Sequence, residues 1–297
     1  MEENEFNEPS FGEIVELIQQ YEESIETKQP IHFNEEDYEQ IIRFYEETME
    51  NNKALRVIES ALEQYTFSSF FHTKQAEILA NQKYFEEALS VLETAEKLDP
   101  SDINIFLIRA DVHLWKGRHA DAMAEVQYAM NLATLDEDKC ELYLEMADIF
   151  EDQEKFAELV DALKNALRHD TKSEEALNRI WFCTELLELY QDSVVFHQEL
   201  IEQNPYSHLA WFNLGHAYAG LGKYEKSFEA FEFVIAIDEN FESAYVCCGD
   251  VLYNLELYDE AIKFYLEAIK LSKPNKDLYL KTGECFEKLG DLTKSRA

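Results

Sequence analysis

Apolar residues recur at every third or fourth position along most of the chain, and the pattern is clearest in residues 209–237. Leu209–Leu221 and Lys223–Ile237 each carry one apolar face, and Gly222 stands between them. Apolar residues at this spacing predict amphipathic helices, and a glycine between two such segments predicts a turn. The stretch from His208 to Phe241 is therefore predicted to be a helix hairpin.

The hairpin pattern repeats every 34 residues from Glu35 onward. The predicted units are 35–68, 69–102, 103–136, 140–173, 174–207, 208–241 and 242–275, with a partial unit at 276–297. Positions are counted here from the first residue of each unit, and small residues recur at three of them. They are Ala76, Ala110, Ala147, Gly215, Gly249 and Gly283 at position 8; Ala54, Ala88, Ala122, Ser193, Ser227, Ala261 and Ser295 at position 20; and Ala61, Ala95, Ala129, Ala166 and Ala268 at position 27. So many small residues at one period predict a single array of hairpins, 35–297, packed closely at these positions.

The unit 208–241 also carries a recognisable set of larger residues. The pattern W-x2-L-G-x2-Y, A-x3-F, A of one helical repeat is matched by Trp211, Leu214, Gly215, Tyr218, Ser227, Phe231 and Val234. The chain thus resembles a tetratricopeptide repeat protein. The resemblance implies an all-α fold, a right-handed α-solenoid of tetratricopeptide helix hairpins, because one hairpin cannot bury its apolar stripe alone and stacks on its neighbours.

Residues 1–34 precede the array. The first nine form an acidic tail, and Ile14, Leu17, Ile18 and Tyr21 then fall on one face of a helix that ends before Pro30. This helix lacks the small residues of the repeat. We therefore predict an N-terminal capping helix that covers the exposed face of the first hairpin.

Three departures from the repeat carry expectations of their own. Trp181 stands at position 8, where a small residue belongs, and is expected to alter helix packing in its unit, first as a packing residue and second as a ligand contact. Asp136–Lys139 are extra residues, predicted to form a longer acidic connection between the third and fourth units. The sequence stops within its eighth unit, which suggests a piece of a longer array.

The charge balance is strongly acidic, with 62 Asp and Glu against 26 Lys and Arg and a formal net charge of -36. Nucleic acid and anionic membrane surfaces are disfavoured as partners, because both attract clustered Lys and Arg. The five cysteines show no CxxC spacing and are expected to be buried free thiols. With no secretory signal and no long apolar run, these features predict a cytoplasmic protein.

No motif of catalysis, of nucleotide binding or of metal binding is present in the sequence. The eight histidines are distributed over different units, which argues against a shared metal site. We therefore expect no enzymatic activity, no cofactor and no metal.

The resemblance implies that the first helices of the units line a concave groove, with positions 2, 5, 9, 12 and 13 facing a ligand. Position 9 is acidic in five units, which predicts a ladder of carboxylates from Glu77, Asp111, Asp148, Asp250 and Glu284. Phe182 and His216 interrupt the ladder and, with Phe212 and Leu186, form a predicted apolar patch; a second patch is predicted from Leu107, Leu114 and Trp115. An apolar patch beside acids suits a basic, amphipathic peptide, whereas the opposing interpretation is a solvated acidic face with aromatic residues packed between repeats.

Related co-chaperones hold a C-terminal carboxylate with a clamp of Lys, Asn and Arg side chains. Only Asn213 matches that clamp here, since Asn178 and Phe182 stand where Lys and Asn belong, and Ser243 and Cys247 stand where Lys and Arg belong. The expected function is therefore a non-catalytic protein-interaction scaffold without that clamp. The alternatives are a structural module that forms homo-oligomers through its exposed C-terminal repeat, and the interaction part of a longer protein with its activity beyond residue 297.

Overall fold

The computed structural model describes residues 11–27, 32–272 and 275–290, and these residues form 16 α-helices. The predicted acidic tail and residues 291–297 lie outside the described residues. The helices are α1 (Phe11–Thr27), α2 (Glu35–Glu47), α3 (Asn51–Gln64), α4 (Ser69–Asn81), α5 (Phe85–Leu98), α6 (Ile103–Trp115), α7 (His119–Leu132), α8 (Asp136–Asp152), α9 (Phe156–His169), α10 (Glu174–Leu186), α11 (Tyr190–Gln203), α12 (His208–Gly220), α13 (Tyr224–Ile237), α14 (Glu242–Asn254), α15 (Tyr258–Leu271) and α16 (Lys276–Lys288). The predicted all-α fold is confirmed.

The chain divides into an N-terminal unit, Met1–Leu132, and a C-terminal unit, Ala133–Ala297. In the N-terminal unit the predicted capping helix α1 packs on α2, and three hairpins follow, α2–α3, α4–α5 and α6–α7. Tyr21 of α1 is buried and shares a hydrogen bond of 3.1 Å with Ser60 of α3. The C-terminal unit stacks four hairpins, α8–α9, α10–α11, α12–α13 and α14–α15, and α16 packs on α15.

Each of the seven hairpin turns in the described residues contains one residue in the left-handed backbone region, and it always stands at position 15. Gly290, which follows α16 at the same position, is left-handed as well. The eight residues are Met49, Lys83, Gly117, Glu154, Glu188, Gly222, Glu256 and Gly290, with φ between 54° and 79°. Only three are glycine, although the left-handed region costs other residues roughly 1 kcal/mol or more. The turn geometry is thus set by the packing of the two helices and not by glycine alone.

The predicted small residues lie where helices approach most closely. The alanines at positions 8, 20 and 27 are fully buried in the described residues. At position 8 of α12 and α14 stand Gly215 and Gly249, and a Cβ on either would collide with the aromatic ring of Phe231 or Tyr265 at position 24. Where position 8 is alanine, position 24 carries a smaller side chain, and these pairs are Ala76 with Leu92, Ala110 with Val126, and Ala147 with Leu163. The side chains at positions 8 and 24 therefore fill the same space between the two helices, so a larger residue at one position requires a smaller residue at the other.

The hairpin α10–α11 departs from this arrangement, as the sequence predicted from Trp181. Its two helices contact each other less than those of any other hairpin in the described residues, and α10 packs chiefly on α9 and α12. The Trp181 ring stacks on His216 of α12, with 5.3 Å between ring centroids. Position 24 of this hairpin holds His197, which is fully buried, and its Nδ1 lies 2.8 Å from the carbonyl oxygen of Ser193.

One expectation from the sequence is wrong. Asp136–Lys139, predicted to be a connection, form the first turn of α8, which is 17 residues long. Acidic residues stabilise the first turn of a helix because its unpaired N–H groups carry partial positive charge, and Asp136, Glu137 and Asp138 occupy that turn. The acidic run therefore lengthens the helix and does not interrupt it.

Candidate peptide-binding surface

Two acids of the predicted ladder, both in the C-terminal unit, form ion pairs with cations. In each pair the cation lies on the first helix of the following repeat. Asp148 of α8 lies 2.7 Å from Arg179 of α10, and Asp250 of α14 lies 2.6 Å from Lys281 of α16. Arg179 and Lys281 both stand at position 6 of their units, so the same geometry occurs twice. A basic ligand would have to compete with these side chains for the two carboxylates.

The remaining ladder acids differ in their surroundings. In the N-terminal unit, Glu77 is bonded to Lys74 of its own helix at 2.8 Å, and Asp111 is half-buried on α6. In the C-terminal unit, Glu284 is exposed on α16. The five acids therefore do not form a uniform row of unpaired charge, because at least Glu77, Asp148 and Asp250 are held by cations.

The paired acids are also partly withdrawn from water. Burial raises the pKa of Asp148, and the Arg179 guanidinium opposes that rise. Arg179 also contacts Glu151 at 2.6 Å and Glu175 at 3.0 Å. Asp250 accepts a hydrogen bond of 2.7 Å from the hydroxyl of Tyr265, whose pKa is raised by burial. These contacts join neighbouring helices, so the acids have a structural role as well as a place on the surface.

The apolar patch of the C-terminal unit, hereafter the α10 patch, is formed by Phe182, Leu186 and Phe212. Phe182 and Leu186 stand four residues apart on one face of α10 and expose 55% and 50% of their surface. Phe212 of α12 is half-buried and lies edge-to-face against His216, with 4.5 Å between ring centroids. A continuous series of ring contacts runs from Phe182 through Trp181 and His216 to Phe212.

His216 joins three first helices at the back of this patch. Its Nε2 lies 3.7 Å from the Sγ of Cys247 on α14, and its Nδ1 lies 3.6 Å from a carboxylate oxygen of Glu185 on α10. Burial lowers the pKa of His216 to about 4, against the influence of Asp250, so the ring is neutral at neutral pH. At 3.6 Å the Glu185 contact is too long for a hydrogen bond, and His216 is chiefly a packing residue here.

The second predicted patch, in the N-terminal unit, offers less surface. Leu107 is buried in the core of α6, with 7% of its surface exposed, and so is not available to a ligand. Leu114 is half-buried. Trp115 exposes 50% of its surface but also packs on Phe85, with 5.8 Å between ring centroids. Trp115 alone could therefore provide a large contact area.

The sequence did not identify the cations at position 6 or the roles of Glu185 and Cys247. The sequence did contain a signal for the cations at position 6. Arg179 follows Asp148, and Lys281 follows Asp250, at the same distance along the chain. Asn213, which matches the co-chaperone clamp, is buried and donates a hydrogen bond of 2.9 Å to the carbonyl oxygen of Leu177. It is therefore committed to packing between repeats.

The remaining reactive side chains of the described residues are the cysteines and the potential metal ligands. No group of three or more His, Cys, Asp or Glu side chains within them is arranged to hold a metal ion. The cysteines are free and lie on helices, and burial raises the pKa of Cys247 to about 12 and that of Cys285 to about 11. Such thiols remain protonated at neutral pH. None of the described helices has the length and apolar content to cross a bilayer.

Comparison with known proteins identifies the repeats. Models of the tetratricopeptide repeat match residues 73–130, 208–241 and 243–275. The fold is similar to the solved structure of the C-terminal part of a TPR repeat-containing protein from Cytophaga hutchinsonii. The two structures align with a TM-score of 0.56 at 15% sequence identity, over 75% of this chain and 91% of that one. The chain is a tetratricopeptide repeat protein, and such arrays are scaffolds for protein–protein interaction.

Curated relatives match the chain at 21% to 29% sequence identity. The chain is 29% identical over 89 residues to the Hsp70-Hsp90 organising protein of Plasmodium falciparum, which covers 30% of this chain and 35% of that protein. It is 23% identical to Hsp70-Hsp90 organizing protein 1 of Glycine max, over 72% of this chain and 43% of that protein. It is 21% identical to the TPR repeat-containing protein YpiA of Bacillus subtilis, over 86% of this chain and 60% of that protein. The chain thus matches only 35% to 60% of the length of these relatives.

Proposed function

We propose that the C-terminal unit is a non-catalytic interaction module that binds a basic, amphipathic peptide segment of a partner protein at the α10 patch. The observation that carries the proposal is the pair Phe182 and Leu186, two large apolar side chains that are half exposed on one face of α10. Exposed apolar side chains that lie together mark interaction sites more often than isolated ones do. The helix beneath them is fixed to α12 by the Trp181–His216 stack.

The expected charge of the ligand follows from the residues beside the patch. Glu185 and Glu188 are exposed on and just after α10, and the whole chain carries a net charge of -36. Because Arg179 and Lys281 already hold Asp148 and Asp250, we assign the attraction for a basic residue to Glu185 and Glu188. An acidic peptide would be repelled.

This assignment separates the chain from the chaperone-tail binding that the names of two relatives suggest. Those names describe organising proteins of Hsp70 and Hsp90. The one clamp residue present here, Asn213, is buried and bonded to Leu177. Asn178, Ser243 and Cys247 stand where the clamp has cations and supply none. We therefore do not extend binding of a C-terminal carboxylate to this protein. We place its work in the cytoplasm, because its cysteines are free thiols.

The test is selection of a phage-displayed random peptide library on the full chain, followed by affinity measurements on the selected peptides. We expect apolar residues flanked by Lys or Arg, and binding that weakens as salt is added. Phe182→Ala with Leu186→Ala should abolish binding. The matched control is Tyr206→Ala, which also removes an exposed aromatic ring, 81% exposed, from the same unit. Selected peptides that are acidic, or that bind the double variant unchanged, would refute the proposal.

Self-association is the second candidate, and it rests on α16, where Tyr279 and Leu280 expose 55% and 59% of their surface. A second copy that packs on this helix would cover both side chains. Sedimentation equilibrium over a wide range of protein concentration tests this candidate. A mass that stays at 34.8 kDa throughout rejects it.

A further inference from the structure

A pocket of about 480 Å³ lies between α11 and α13, above α12, in the C-terminal unit. Trp211, Leu214 and Tyr218 of α12 line it. These residues are three or four apart and so share one face of the helix, whereas Phe212 and His216 lie on the opposite face. The pocket is therefore separate from the α10 patch.

A small residue leaves space in the pocket where the two nearest second helices carry an aromatic one. Position 23 holds Phe196 in α11 and Phe264 in α15, but Ala230 in α13, as it holds Ala162 in α9. Phe264 fills the corresponding space of its own hairpin, where its ring lies 5.5 Å from Phe228 and 6.4 Å from Tyr245. Ala230 provides no such ring, and the space above it stays open.

Three aromatic side chains, those of Trp211, Tyr218 and Phe233, line the pocket. The Phe233 ring stacks on Trp211, with 4.3 Å between centroids and 21° between planes, and Phe233 is 51% exposed. The indole nitrogen of Trp211 donates a hydrogen bond of 2.9 Å to the carbonyl oxygen of Pro205. Both contacts hold the indole in place before any ligand arrives, which lowers the cost of binding.

The charges around the pocket favour a cation. Its lining includes Glu202 and Glu229, both exposed, against one cation, Lys226. The Lys226 ammonium lies 5.6 Å from the centre of the Tyr218 ring, so the chain already places one cation against this aromatic wall. A lysine or arginine side chain has an apolar stem suited to Trp211 and Ala230 and a charged head suited to the two carboxylates.

From these observations we propose that the pocket between α11 and α13 is a second binding site, which takes the side chain of a lysine or arginine from a partner protein. This site is independent of the α10 patch. A partner that engages both would contact opposite faces of α12.

The experiment uses the indole N–H signals of the 15N-labelled full chain, which has three tryptophans. Trp→Phe variants assign the three signals, and N-acetyl-argininamide is then added as the probe. We expect the signal of Trp211 to shift while those of Trp115 and Trp181 stay in place. N-acetyl-citrullinamide, neutral and of the same length, should shift it much less. An equal response to both probes, or no shift of Trp211, would overturn the proposal.

Two variants locate the interaction. Ala230→Phe places in the pocket the residue that its neighbours carry, and it should remove the Trp211 response. Glu202→Gln with Glu229→Gln leaves the shape of the pocket unchanged and should weaken probe binding about fivefold, as expected for two exposed ion pairs. Glu232→Gln, at an exposed residue of α13 outside the pocket lining, is the control for loss of charge alone. If the double variant binds the probe as the wild type does, the cation assignment fails even if Ala230→Phe does not fold.

Discussion

The hairpins α10–α11 and α12–α13 are neighbours with helices of equal length, yet they close differently. In α12–α13 the aromatic ring belongs to the second helix, and Phe231 lies against Gly215 of the first. In α10–α11 the ring belongs to the first helix, and Trp181 turns to the next hairpin, where it stacks on His216. The aromatic ring thus packs between the two helices of its own hairpin in one case, and against the next hairpin in the other. The residue at position 8 decides between the two.

The largest expected effect is a loss of stability in acid, to which each of the two hairpins contributes one histidine whose pKa is lowered by burial. Burial lowers the pKa of His197 to about 4, from 6.5, so the folded state keeps it neutral while the unfolded state binds a proton below pH 6.5. Stability is therefore expected to fall as pH drops from 6.5 to 4, by up to about 3 kcal/mol from this residue. His216, with its lowered pKa, acts in the same direction.

The measurement is urea unfolding of the full chain across this pH range. His197→Leu, which places at position 24 the residue that α5 and α9 carry there, should reduce the pH dependence. If the variant and the wild type lose stability equally between pH 6.5 and 4, the buried neutral histidine does not control the response.

Filling the glycine of the closed hairpin should have the next largest effect. A Cβ on Gly215 would lie 2.5 Å from the Phe231 ring, and Phe231 is only 1% exposed. Gly215→Ala is expected to cost about 2 kcal/mol in the free energy of unfolding, because the ring has little room to move. Adding Phe231→Leu creates the pair that Ala76 and Leu92 form elsewhere, and it should restore most of the loss. The free energies of unfolding are measured in urea. If the effects of the two changes simply add, the side chains at positions 8 and 24 do not compete for the same space.

Removing the ring from the open hairpin should cost less. Trp181 is half-buried, so Trp181→Ala is expected to lose about 1–2 kcal/mol, below the cost for a fully buried aromatic residue. The Trp181–His216 stack is also lost, and binding at the α10 patch should weaken with it. Intrinsic fluorescence and peptide affinity, measured together, check this prediction. Full peptide affinity in the variant would show that the stack does not position the patch.

The smallest effect concerns the turns, where the two hairpins also differ. Position 15 is Gly222 in one and Glu188 in the other, with φ of 69° and 54°. Gly222→Ala should destabilise the chain by about 1 kcal/mol, since a side chain is disfavoured in the left-handed region. Glu188→Gly should stabilise it by less, because glycine also adds freedom to the unfolded chain. A thermal-melting shift of the same sign for both variants would contradict this account.

Much of this architecture follows from the sequence because helices approach closely only at small residues. The alanines and glycines at positions 8, 20 and 27 therefore indicated both the 34-residue period and the places where helices pack closely. Trp181, at a position for a small residue, correctly indicated a hairpin with altered packing. Asp136–Lys139 misled the prediction because a run of acids suits either a solvated connection or the first turn of a helix.

The candidate site was harder to predict, since it depends on where one hairpin meets the next. The position of Asp148 on its helix was predictable, but its pairing with Arg179 depends on the offset between α8 and α10. Leu107 was assigned to the groove by its position alone. Its helix α6 is apolar on several sides, with Ile105, Phe106 and Ile108 also buried, so position did not distinguish surface from core.

The shared space of positions 8 and 24 restricts how such an array can be rearranged. Exchange or duplication of segments at the boundaries between units keeps each pair intact, whereas a crossover inside a hairpin would combine the first helix of one unit with the second helix of another. Joining the α4 segment to the α13 segment would set Ala76 against Phe231, and joining α12 to α5 would leave Gly215 facing the smaller Leu92. Recombination in this gene, natural or designed, should therefore tolerate breakpoints between hairpins far better than breakpoints at their turns.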